Sequence, residues 1–338
     1  MNIQQNISLK PYNTFGIEAK AKEFVVINSL EELSILCAAF NLSERKILIL
    51  GGGSNVLLTQ DFDGMVIKIN IKGIEIIKET NEHVWVKAMA GEVWHEFVMY
   101  CIDKNLAGLE NLSLIPGCVG AAPMQNIGAY GAEIKNTFES LDAIEIETAE
   151  IKTFSNVACK FGYRESIFKN EAKNKYIIAS VTFKLNKNPN FNTSYGAIQQ
   201  TLEKQGIKEL NVKVISDAVI AIRESKLPNP KELGNAGSFF KNPEIPQAQF
   251  ESLKLQYPDI VGYPTQNGNI KIAAGWLIEA CGWKGKIVGN TGSHKHQALV
   301  LVNYGNATGS EIVNLAMEIQ KSVKAKFGIT IQPEVNII

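Results

Sequence analysis

In this 338-residue chain, the best candidates for a binding surface are two glycine-rich segments. Residues 115–130 are rich in Gly, Ala and Pro, almost uncharged, and without helical or strand periodicity. Residues 51–55 read Gly-Gly-Gly-Ser-Asn between the apolar runs 47–50 and 56–58. Glycine permits close approach to the backbone, and proline fixes φ and removes a donor, so such segments suit wrapping a ligand with amides. Two separated segments of this kind indicate a large cofactor that carries phosphate.

The triple glycine matches neither of the two well-known nucleotide fingerprints. The dinucleotide pattern requires glycine where Val56 stands and then a helix, whereas the sequence after Asn55 looks like a strand. The P-loop requires a Gly-Lys-Ser/Thr sequence, which this segment lacks. Two interpretations remain. One is a strand-turn-strand whose amides form an anion nest, and the other, more common for a triple glycine alone, is a plain tight turn.

A lone hydroxyl stands in a third loop, residues 234–243, among small and aromatic residues. Ser238 follows Gly237 and precedes Phe239 and Phe240. Its hydroxyl would either donate a proton to a substrate or cap a turn. Serine after glycine is more often a turn residue, and the Gly-x-Ser-x-Gly sequence of a hydrolase nucleophile is absent here. From this loop alone we interpret Ser238 as a turn residue.

Composition restricts the classes of partner. The chain has 34 basic and 34 acidic residues, a net charge of zero and 45% hydrophobic residues. Without a long basic run, a broad nucleic-acid surface has no support, and any anion binding must be local. The N-terminus lacks a basic segment followed by an apolar one, and no apolar stretch approaches the roughly 20 residues that span a bilayer. We therefore predict a cytoplasmic protein with no nucleic-acid or membrane partner.

The cysteines and histidines do not predict a metal site. The five cysteines are odd in number, widely spaced and lack a Cys-x-x-Cys pair, which argues against a disulfide framework and a zinc knuckle. We expect them to be reduced and buried. His294 and His296 would share one face of an extended segment, but no acidic or cysteine partner is near in sequence. We interpret them as polar anchors in a binding loop.

Strand-like and helical segments alternate around the glycine segments. We predict strands at residues 23–27, 47–50, 65–69, 74–78, 84–88, 141–147 and 176–185, and helices at residues 29–40 and 93–103. Ser29 and Glu32 fit a capping box at the first helix. The pattern predicts two mixed units of helices and strands.

A proline-rich step separates the C-terminal part. Residues 188–213 are polar, and a helix from Asp217 towards Lys226 ends at the Leu-Pro-Asn-Pro sequence of residues 227–230. We predict a domain boundary there. Beyond it we expect a Gly/Asn loop at residues 234–243, helices at 273–281 and 310–327, and strands at 297–303 and 329–338.

Seven motifs, taken together, resemble the UDP-N-acetylenolpyruvoylglucosamine reductase family, flavoenzymes of bacterial peptidoglycan precursor synthesis. They lie at residues 13–16, 51–55, 115–120, 125–131, 161–166, 237–243 and 333–335. They occur in the family's order and cover almost the whole chain. Such a set is far more specific than any one motif.

The resemblance implies an α+β flavoprotein of three domains. Two are vanillyl-alcohol-oxidase-like (PCMH-type) FAD-binding subdomains, and a C-terminal α/β domain binds the substrate. The implied boundaries are residues 1–70 with 329–338, residues 71–227 with a tyrosine lid insert at about 188–213, and residues 228–328. The polar insert is similar to that of the type I branch, in which a tyrosine loop folds over the substrate. The family also implies a monomer.

The implied activity is NADPH-dependent reduction of UDP-N-acetylglucosamine enolpyruvate to UDP-N-acetylmuramate through FAD. Hydride reaches the terminal carbon, and a proton reaches the carbon that bears the carboxylate. By resemblance, Ser238 donates this proton and Arg164 stabilises the charge that grows on the carboxylate. Glu334, at least partly protonated, would polarise the developing acid. Without the resemblance, Arg164 would be interpreted as a surface ion pair and Glu334 as an edge-strand charge.

The resemblance also assigns binding residues. Those for FAD are Gly51, Gly52, Gly53, Ser54, Asn55, Pro116, Gly117, Gly120, Ala121, Gln125, Asn126 and Gly128, and those for the nucleotide sugar are Tyr195, Lys226, Asn242, Gln297 and Tyr130. Two departures stand out: Gly52, where many relatives have an acidic residue, and alanines at 121 and 122, where small hydroxyl residues are frequent. We expect more of the phosphate binding to fall to backbone amides, and FAD to bind more weakly.

Two other function classes share part of this pattern. A flavin oxidase would keep the glycine segments but use oxygen, and the set of Ser238, Arg164 and Glu334 argues against it. A non-catalytic nucleotide-sugar binder would keep Tyr195 and Lys226 but would not need both FAD segments. Rapid reoxidation of reduced flavin by oxygen would favour the oxidase, and absence of flavin would favour the binder.

Overall fold

The chain divides into two compact units. The computed structural model describes residues 1–193, 196–265 and 267–338, so Tyr195 lies outside the described residues. The first unit comprises Met1–Ile7, Ala21–Gly52 and Asp63–Glu224, and the second comprises Ser8–Lys20, Gly53–Phe62 and Ser225–Ile338.

Strands and helices alternate along the chain. The strands are β1 (Ile3–Ser8), β2 (Lys20–Ile27), β3 (Ile47–Leu50), β4 (Val56–Leu57), β5 (Phe62–Ile69), β6 (Ile74–Glu79), β7 (His83–Met89), β8 (Gly128–Ala129), β9 (Ala132–Glu133), β10 (Phe138–Glu145), β11 (Ile151–Ser155), β12 (Tyr176–Asn186), β13 (Gly234–Ser238), β14 (Glu244–Pro246), β15 (Gly262–Pro264), β16 (Asn269–Ile272), β17 (Ile287–Val288), β18 (Thr291–Ser293), β19 (Val300–Asn303) and β20 (Asn336–Ile337). The α-helices are α1 (Leu30–Phe40), α2 (Trp94–Asp103), α3 (Gly196–Lys204), α4 (Val212–Lys226), α5 (Gln247–Gln256), α6 (Ala274–Ala280) and α7 (Gly309–Phe327).

A four-stranded sheet in the order β1-β2-β5-β3 leads to the first glycine segment. Parallel pairing of β3 with β5 brings Leu50, the last residue of β3, opposite Lys68, so Gly51 follows the strand beside the end of β5. Helix α1 begins after Ser29, whose side chain accepts a hydrogen bond from the Glu32 amide at 3.1 Å, as a capping residue does. The predicted helix start at Ser29 is confirmed.

An antiparallel five-stranded sheet in the order β11-β10-β12-β7-β6 forms the rest of the first unit's frame. Helix α2 is tied to it through an aromatic cluster: the ring of Phe183 on β12 lies 5.8 Å from that of Trp94 and 5.2 Å from that of Phe97. All three side chains are fully buried. Edge-to-face and tilted contacts of this kind fix the helix against the sheet beyond what area burial alone supplies. The first turn of α2 is thereby held in place.

The second unit contains two small antiparallel sheets, β13-β19-β18-β17 and β14-β16-β15, and the parallel pair β20-β4. Its longest helix, α7, begins with a capping box between Thr308 and Glu311 and ends at Gly328, which has a left-handed φ of 69°. Both are standard helix-terminus signals. Among the described residues, no helix is both long and apolar enough to cross a membrane.

The mixed helix and strand content confirms the predicted α+β fold class, with local differences that include four at or near predicted site residues. Residues 115–130 contain a 3-10 helix, Val119–Gln125, where no regular element was predicted. The predicted loop at residues 234–243 begins with strand β13, which pairs with the apolar β19 although its own residues are small and polar. Helix α4 begins at Val212 instead of Asp217, because Val212 and Ile215 extend its buried face.

The fourth difference concerns the C-terminus, where a strand was predicted over residues 329–338. Ile329, Ile331 and Val335 are buried in the alternation that a strand shows, but only Asn336–Ile337 form a strand. The cysteines differ in one respect from the prediction. All five are free thiols, and four are buried, but Cys281 is only half-buried.

Candidate active site

The two glycine segments of the first unit meet in space. A Cβ placed on Gly52 would lie 2.8 Å from the Cα of Gly117, so both backbones touch where only glycine fits. A Cβ on Gly51 would lie 3.5 Å from the Cβ of Cys118, an ordinary contact. The two segments are separate in the sequence, and the fold joins them into one surface. We call the surface formed by Gly51, Gly52 and Gly117 the glycine cradle.

The glycine cradle carries unused hydrogen-bond donors. Within residues 1–193, 196–265 and 267–338, no acceptor receives the amide N–H of Gly51, Gly52 or Gly117. All three residues are half-buried. Half-buried amides without an acceptor are the donors that bind phosphate oxygens in anion nests. The carbonyl of Gly51, in contrast, accepts a hydrogen bond from Lys68 Nζ at 2.6 Å.

The 3-10 helix after the cradle is packed firmly into the first unit. A Cβ on Gly120 would lie 2.5 Å from the Cβ of Ala90, and the Gly120 amide donates to the Ala90 carbonyl at 3.0 Å. Asn126 is buried, and its side chain donates to Gly162 O and accepts from the Lys135 amide. These two predicted FAD residues therefore shape the loop, because their polar groups are engaged by the protein.

Arg164 lies beside the short hairpin β8-β9 of the first unit. Its Nη2 donates to the carbonyl of Gly128 at 2.7 Å, and its guanidinium lies 5.5 Å from the ring of Tyr163. The residue has a left-handed φ of 56°, which is uncommon for a side chain of this size. Backbone strain of this kind is often found at functional sites.

Tyr130 lies in the same hairpin region as Gly128. It too has a left-handed φ, of 49°, and its carbonyl accepts from Asn111 Nδ2 at 2.9 Å. Its ring packs against the small apolar cluster built by α3 and α4. The first unit thus holds Arg164, Tyr130 and Gly128 around one hairpin.

Ser238 ends strand β13 in the second unit, at an irregular point of the sheet. A register shift separates the pairs that Asn235 and Ser238 form with β19, and Gly237 between them has a φ of 69°. The side chain of Asn235 accepts from the Gly237 amide at 2.9 Å. A bulge of this type re-aims the following side chain, here that of Ser238.

Glu334 is brought next to the segment that follows Ser238. The Glu334 amide donates to the Phe239 carbonyl at 2.7 Å, and Phe240 forms an isolated bridge with Pro333. Phe239 and Phe240 are fully buried and anchor this contact. The fold therefore brings Ser238 and Glu334, 96 residues apart in sequence, to adjacent backbone positions.

Asn242 and Gln297 converge on the start of helix α6 in the second unit. Asn242 Oδ1 accepts from the amide of Ala274, the first helical residue, at 2.9 Å. Gln297 Oε1 lies 3.1 Å from the position of a Cβ on Gly275. Both predicted substrate residues thus present polar side chains at one helix end.

Lys226 is exposed, and its backbone is held by His294. A ring N–H of His294 donates to the Lys226 carbonyl, while His294 Nδ1 accepts from the His296 amide at 3.4 Å. Burial, with His296 nearby, lowers the pKa of His294 below its ordinary value, so the ring is neutral at pH 7. His294 thus anchors the loop through its side chain, as predicted, whereas His296 contributes its backbone amide and has an exposed side chain.

Comparisons with known proteins show which family the chain belongs to. A family model for the UDP-N-acetylenolpyruvoylglucosamine reductase C-terminal domain matches residues 229–338, and an FAD binding domain model matches residues 21–155. The UDP-N-acetylenolpyruvoylglucosamine reductase of Flavobacterium johnsoniae is 59% identical over 339 residues, covering 100% of both chains. The chain belongs to the UDP-N-acetylenolpyruvoylglucosamine reductase family. The predicted family, FAD cofactor and enzyme class, an FAD-dependent oxidoreductase, are confirmed.

Other relatives agree with this membership in the reductase family. The reductase of Amoebophilus asiaticus is 53% identical over 338 residues and covers 100% of both chains. The crystal structure of the Thermus caldophilus UDP-N-acetylenolpyruvylglucosamine reductase has a TM-score of 0.69 and 21% identity, covering 100% of this chain and 99% of that chain. That structural likeness shows that the fold is the one this reductase has.

The cradle fits the cofactor of this reductase family. FAD carries a pyrophosphate, and the half-buried amides of Gly51, Gly52 and Gly117 are donors without a protein acceptor among the described residues. Lys68, on the adjacent strand, adds a positive charge. Burial lowers the pKa of Lys68, which indicates that its ammonium group is partly removed from water. Donors and charge together suit an anionic group.

Sequence reasoning missed Lys68 and two further residues, His95 and Arg223. Lys68 interrupts the apolar run of β5, and a lone charge inside such a run was the available signal. His95 and Arg223 lie on helices whose faces mix polar and apolar residues. Nothing in their spacing distinguishes them from solvated positions, because their partner is a backbone group of a distant loop.

Proposed function

We propose that this chain reduces UDP-N-acetylenolpyruvoylglucosamine to UDP-N-acetylmuramate with electrons from NADPH that pass through FAD, in peptidoglycan precursor synthesis. The observation that carries this proposal is the match to reductases of that name over the full chain. The adjacent backbone positions of Ser238 and Glu334 support it, because that pair belongs to the predicted catalytic set.

FAD is proposed to bind with its pyrophosphate on the glycine cradle. When bound and in its reduced form, FAD would be the source of hydride for the terminal carbon of the enolpyruvyl group. The chain's part is to hold the phosphates with amides of Gly51, Gly52 and Gly117, and to offset their charge with Lys68. The weaker binding expected from the glycine at position 52 stays a prediction.

Ser238 is proposed to give the proton that completes the reduction. A serine hydroxyl is a weak acid in water, so its value depends on being aimed at a strongly basic carbon. The bulge at Gly237 and the buried Phe239 fix the backbone on both sides of Ser238. Such positioning is what a weak acid needs in order to act.

Arg164 and Glu334 are proposed to stabilise the carboxylate that becomes enolate-like during the reaction. A guanidinium forms charge-assisted hydrogen bonds in a fixed planar geometry, which suits a carboxylate. The hydrogen bond from Arg164 to Gly128 orients the guanidinium. Glu334, partly protonated, would donate a hydrogen bond to the developing acid.

Nucleotide-sugar binding is proposed for the remaining predicted residues. Lys226 would meet the diphosphate, and Asn242 and Gln297 would offer polar groups at the start of α6. Tyr130 and the lid residue Tyr195 complete the set. The three-domain division, the monomeric state and the cytoplasmic location remain proposals of the same kind.

The visible flavin spectrum under anaerobic conditions tests this function. The FAD-loaded protein should bleach when NADPH is added and recover when UDP-N-acetylenolpyruvoylglucosamine follows. Bleaching without recovery would keep a flavoprotein but reject this substrate. Recovery on admission of oxygen alone, at a similar rate, would indicate an oxidase instead.

A further inference from the structure

Leu114, directly before the cradle loop, has an unusual backbone conformation. Its φ is 60°, in the left-handed region that a branched side chain rarely occupies. Such a residue persists only where the surrounding structure enforces it. Three residues further along the chain is Gly117, whose amide belongs to the cradle. Whatever holds Leu114 therefore sets the direction in which the chain enters the cradle.

Both peptide groups of Leu114 are held by side chains from two helices of the first unit. Its amide donates to His95 Nδ1 on α2 at 3.0 Å, and its carbonyl accepts from Arg223 Nε on α4 at 3.2 Å. Ser113, the preceding residue, is held through its side chain. Ser113 Oγ lies 2.8 Å from Ser216 Oγ on α4 and donates to the Glu110 carbonyl at 2.7 Å.

The same turn of α2 also holds the far end of this segment. The amide of Trp94 donates to the Gly117 carbonyl at 3.0 Å, one residue before His95. Helix α2 thus contacts both Leu114 and Gly117 through consecutive residues. Trp94 is in turn fixed by the aromatic cluster at β12. The four-residue segment is pinned at both ends to a rigid element.

We propose that His95 is a positioning residue for FAD: as a neutral acceptor it holds Leu114 in the left-handed conformation and so sets the cradle amide of Gly117. This inference rests on the proposed placement of FAD at the glycine cradle. Nδ1 accepts only while it carries no proton, because a protonated imidazole has donors at both nitrogens. Arg223, which holds the Leu114 carbonyl, faces His95 from α4, and Glu96 neighbours it on α2.

The charge around His95 favours the neutral ring. Burial, with the Arg223 guanidinium nearby, lowers the pKa of His95 below its ordinary value, and Glu96 opposes this only in part. The ring therefore accepts at neutral pH. Below about pH 6.5, the ordinary value for histidine, protonation becomes progressively more frequent. It would place an N–H against the Leu114 amide and a second positive charge beside Arg223.

The test compares FAD binding by two His95 variants of the apoprotein, followed by quenching of flavin fluorescence. His95→Leu keeps much of the volume but has no acceptor, whereas His95→Asn places an amide oxygen near the position of Nδ1. We expect His95→Leu to bind FAD about tenfold more weakly, because one hydrogen bond is lost. We expect His95→Asn to bind FAD within about twofold of the native protein. Equal binding by all three, or equal weakening of both variants, would overturn the role.

A second test measures FAD affinity against pH for the native protein and for His95→Asn. Both proteins have an acceptor for the Leu114 amide at neutral pH, but only the histidine can lose it by protonation. The native affinity for FAD should fall as the pH drops below about 6.5, and that of His95→Asn should fall much less. Parallel curves would overturn the proposal. If the native apoprotein failed to bind FAD at any pH, the proposed cofactor site itself would be wrong, and the positioning role with it.

Discussion

The glycine cradle of the first unit and the Ser238 segment of the second unit use their backbones in opposite ways. At the cradle, the amides of Gly51, Gly52 and Gly117 have no acceptor among the described residues. Next to Ser238, by contrast, both backbone groups of Phe239 are hydrogen-bonded within the protein. Its amide donates to the Leu299 carbonyl, and its carbonyl accepts from the Glu334 amide. The first surface offers its backbone to a ligand, and the second uses its backbone to hold a side chain.

This difference predicts how each region responds to substitution. Where the backbone is the binding group, added volume should matter and side-chain chemistry should not. Where the backbone only holds a catalytic side chain in place, as at Ser238, loss of that side-chain group should stop the reaction while the cofactor stays bound. Three substitutions test the contrast, beginning with the one of largest effect.

Ser238→Ala should slow reoxidation of reduced flavin by the enolpyruvyl substrate by about a hundred- to ten-thousand-fold, the range of general acid catalysis. Reduction by NADPH should be unchanged, because the hydroxyl serves only the second half-reaction. Stopped-flow absorbance of the flavin measures both steps. Ser238→Cys, which keeps an acidic proton, is the matched control and should retain part of the rate. Equal losses in both half-reactions would contradict a proton donor.

Gly52→Ala should weaken FAD binding by at least about tenfold, because its Cβ would lie 2.8 Å from the Gly117 Cα and must push two backbones apart. Gly51→Ala is the control, since its Cβ would make only an ordinary contact at 3.5 Å. Titration of each apoprotein with FAD gives both affinities. If the two variants bound FAD equally well, the close approach at Gly52 would not matter for binding.

Thr308→Ala should lower the free energy of unfolding by about 1 kcal/mol, as loss of an N-cap does, without changing either half-reaction. Ser29→Ala makes the same change at α1 in the first unit and should have a similar effect. Urea denaturation measures both. Hydrogen bonds from Thr308 lower the pKa of Glu311, so the stability that the Glu311 carboxylate adds is fully present above about pH 4.3 and is lost as the pH falls further. A large effect on catalysis from either variant would contradict the view that both caps act only on stability.

Much of the local structure could be predicted from the sequence. Strand β3 occupies Ile47–Leu50 as predicted, and the helix starts at Ser29 and near Ser310 follow from capping residues and apolar spacing. The turn after Leu50 is flanked by strands, as predicted, instead of the helix of a dinucleotide fold. These features depend on residues close together in the chain, and so their signal is local.

Long-range contacts explain what the sequence did not reveal. Strand β13 has no strand composition and forms because β19 offers a backbone ladder. Leu114 has a left-handed conformation that nothing in its own sequence requires. In both cases the determining group lies far away in the chain, where neither periodicity nor propensity reports it.

Local sequence was enough to predict many of the helices and strands and the residue types of the site: glycines where backbones approach closely, a lone serine after glycine, and caps that start helices. The contact of Gly52 with Gly117, the hydrogen bond of Glu334 next to Ser238, and the hydrogen bonds of His95 and Arg223 to Leu114 depend on how the chain folds. The physical reason is that propensity and periodicity act over a few residues. Hydrogen bonds and van der Waals contacts act between any residues that the fold brings within a few ångströms.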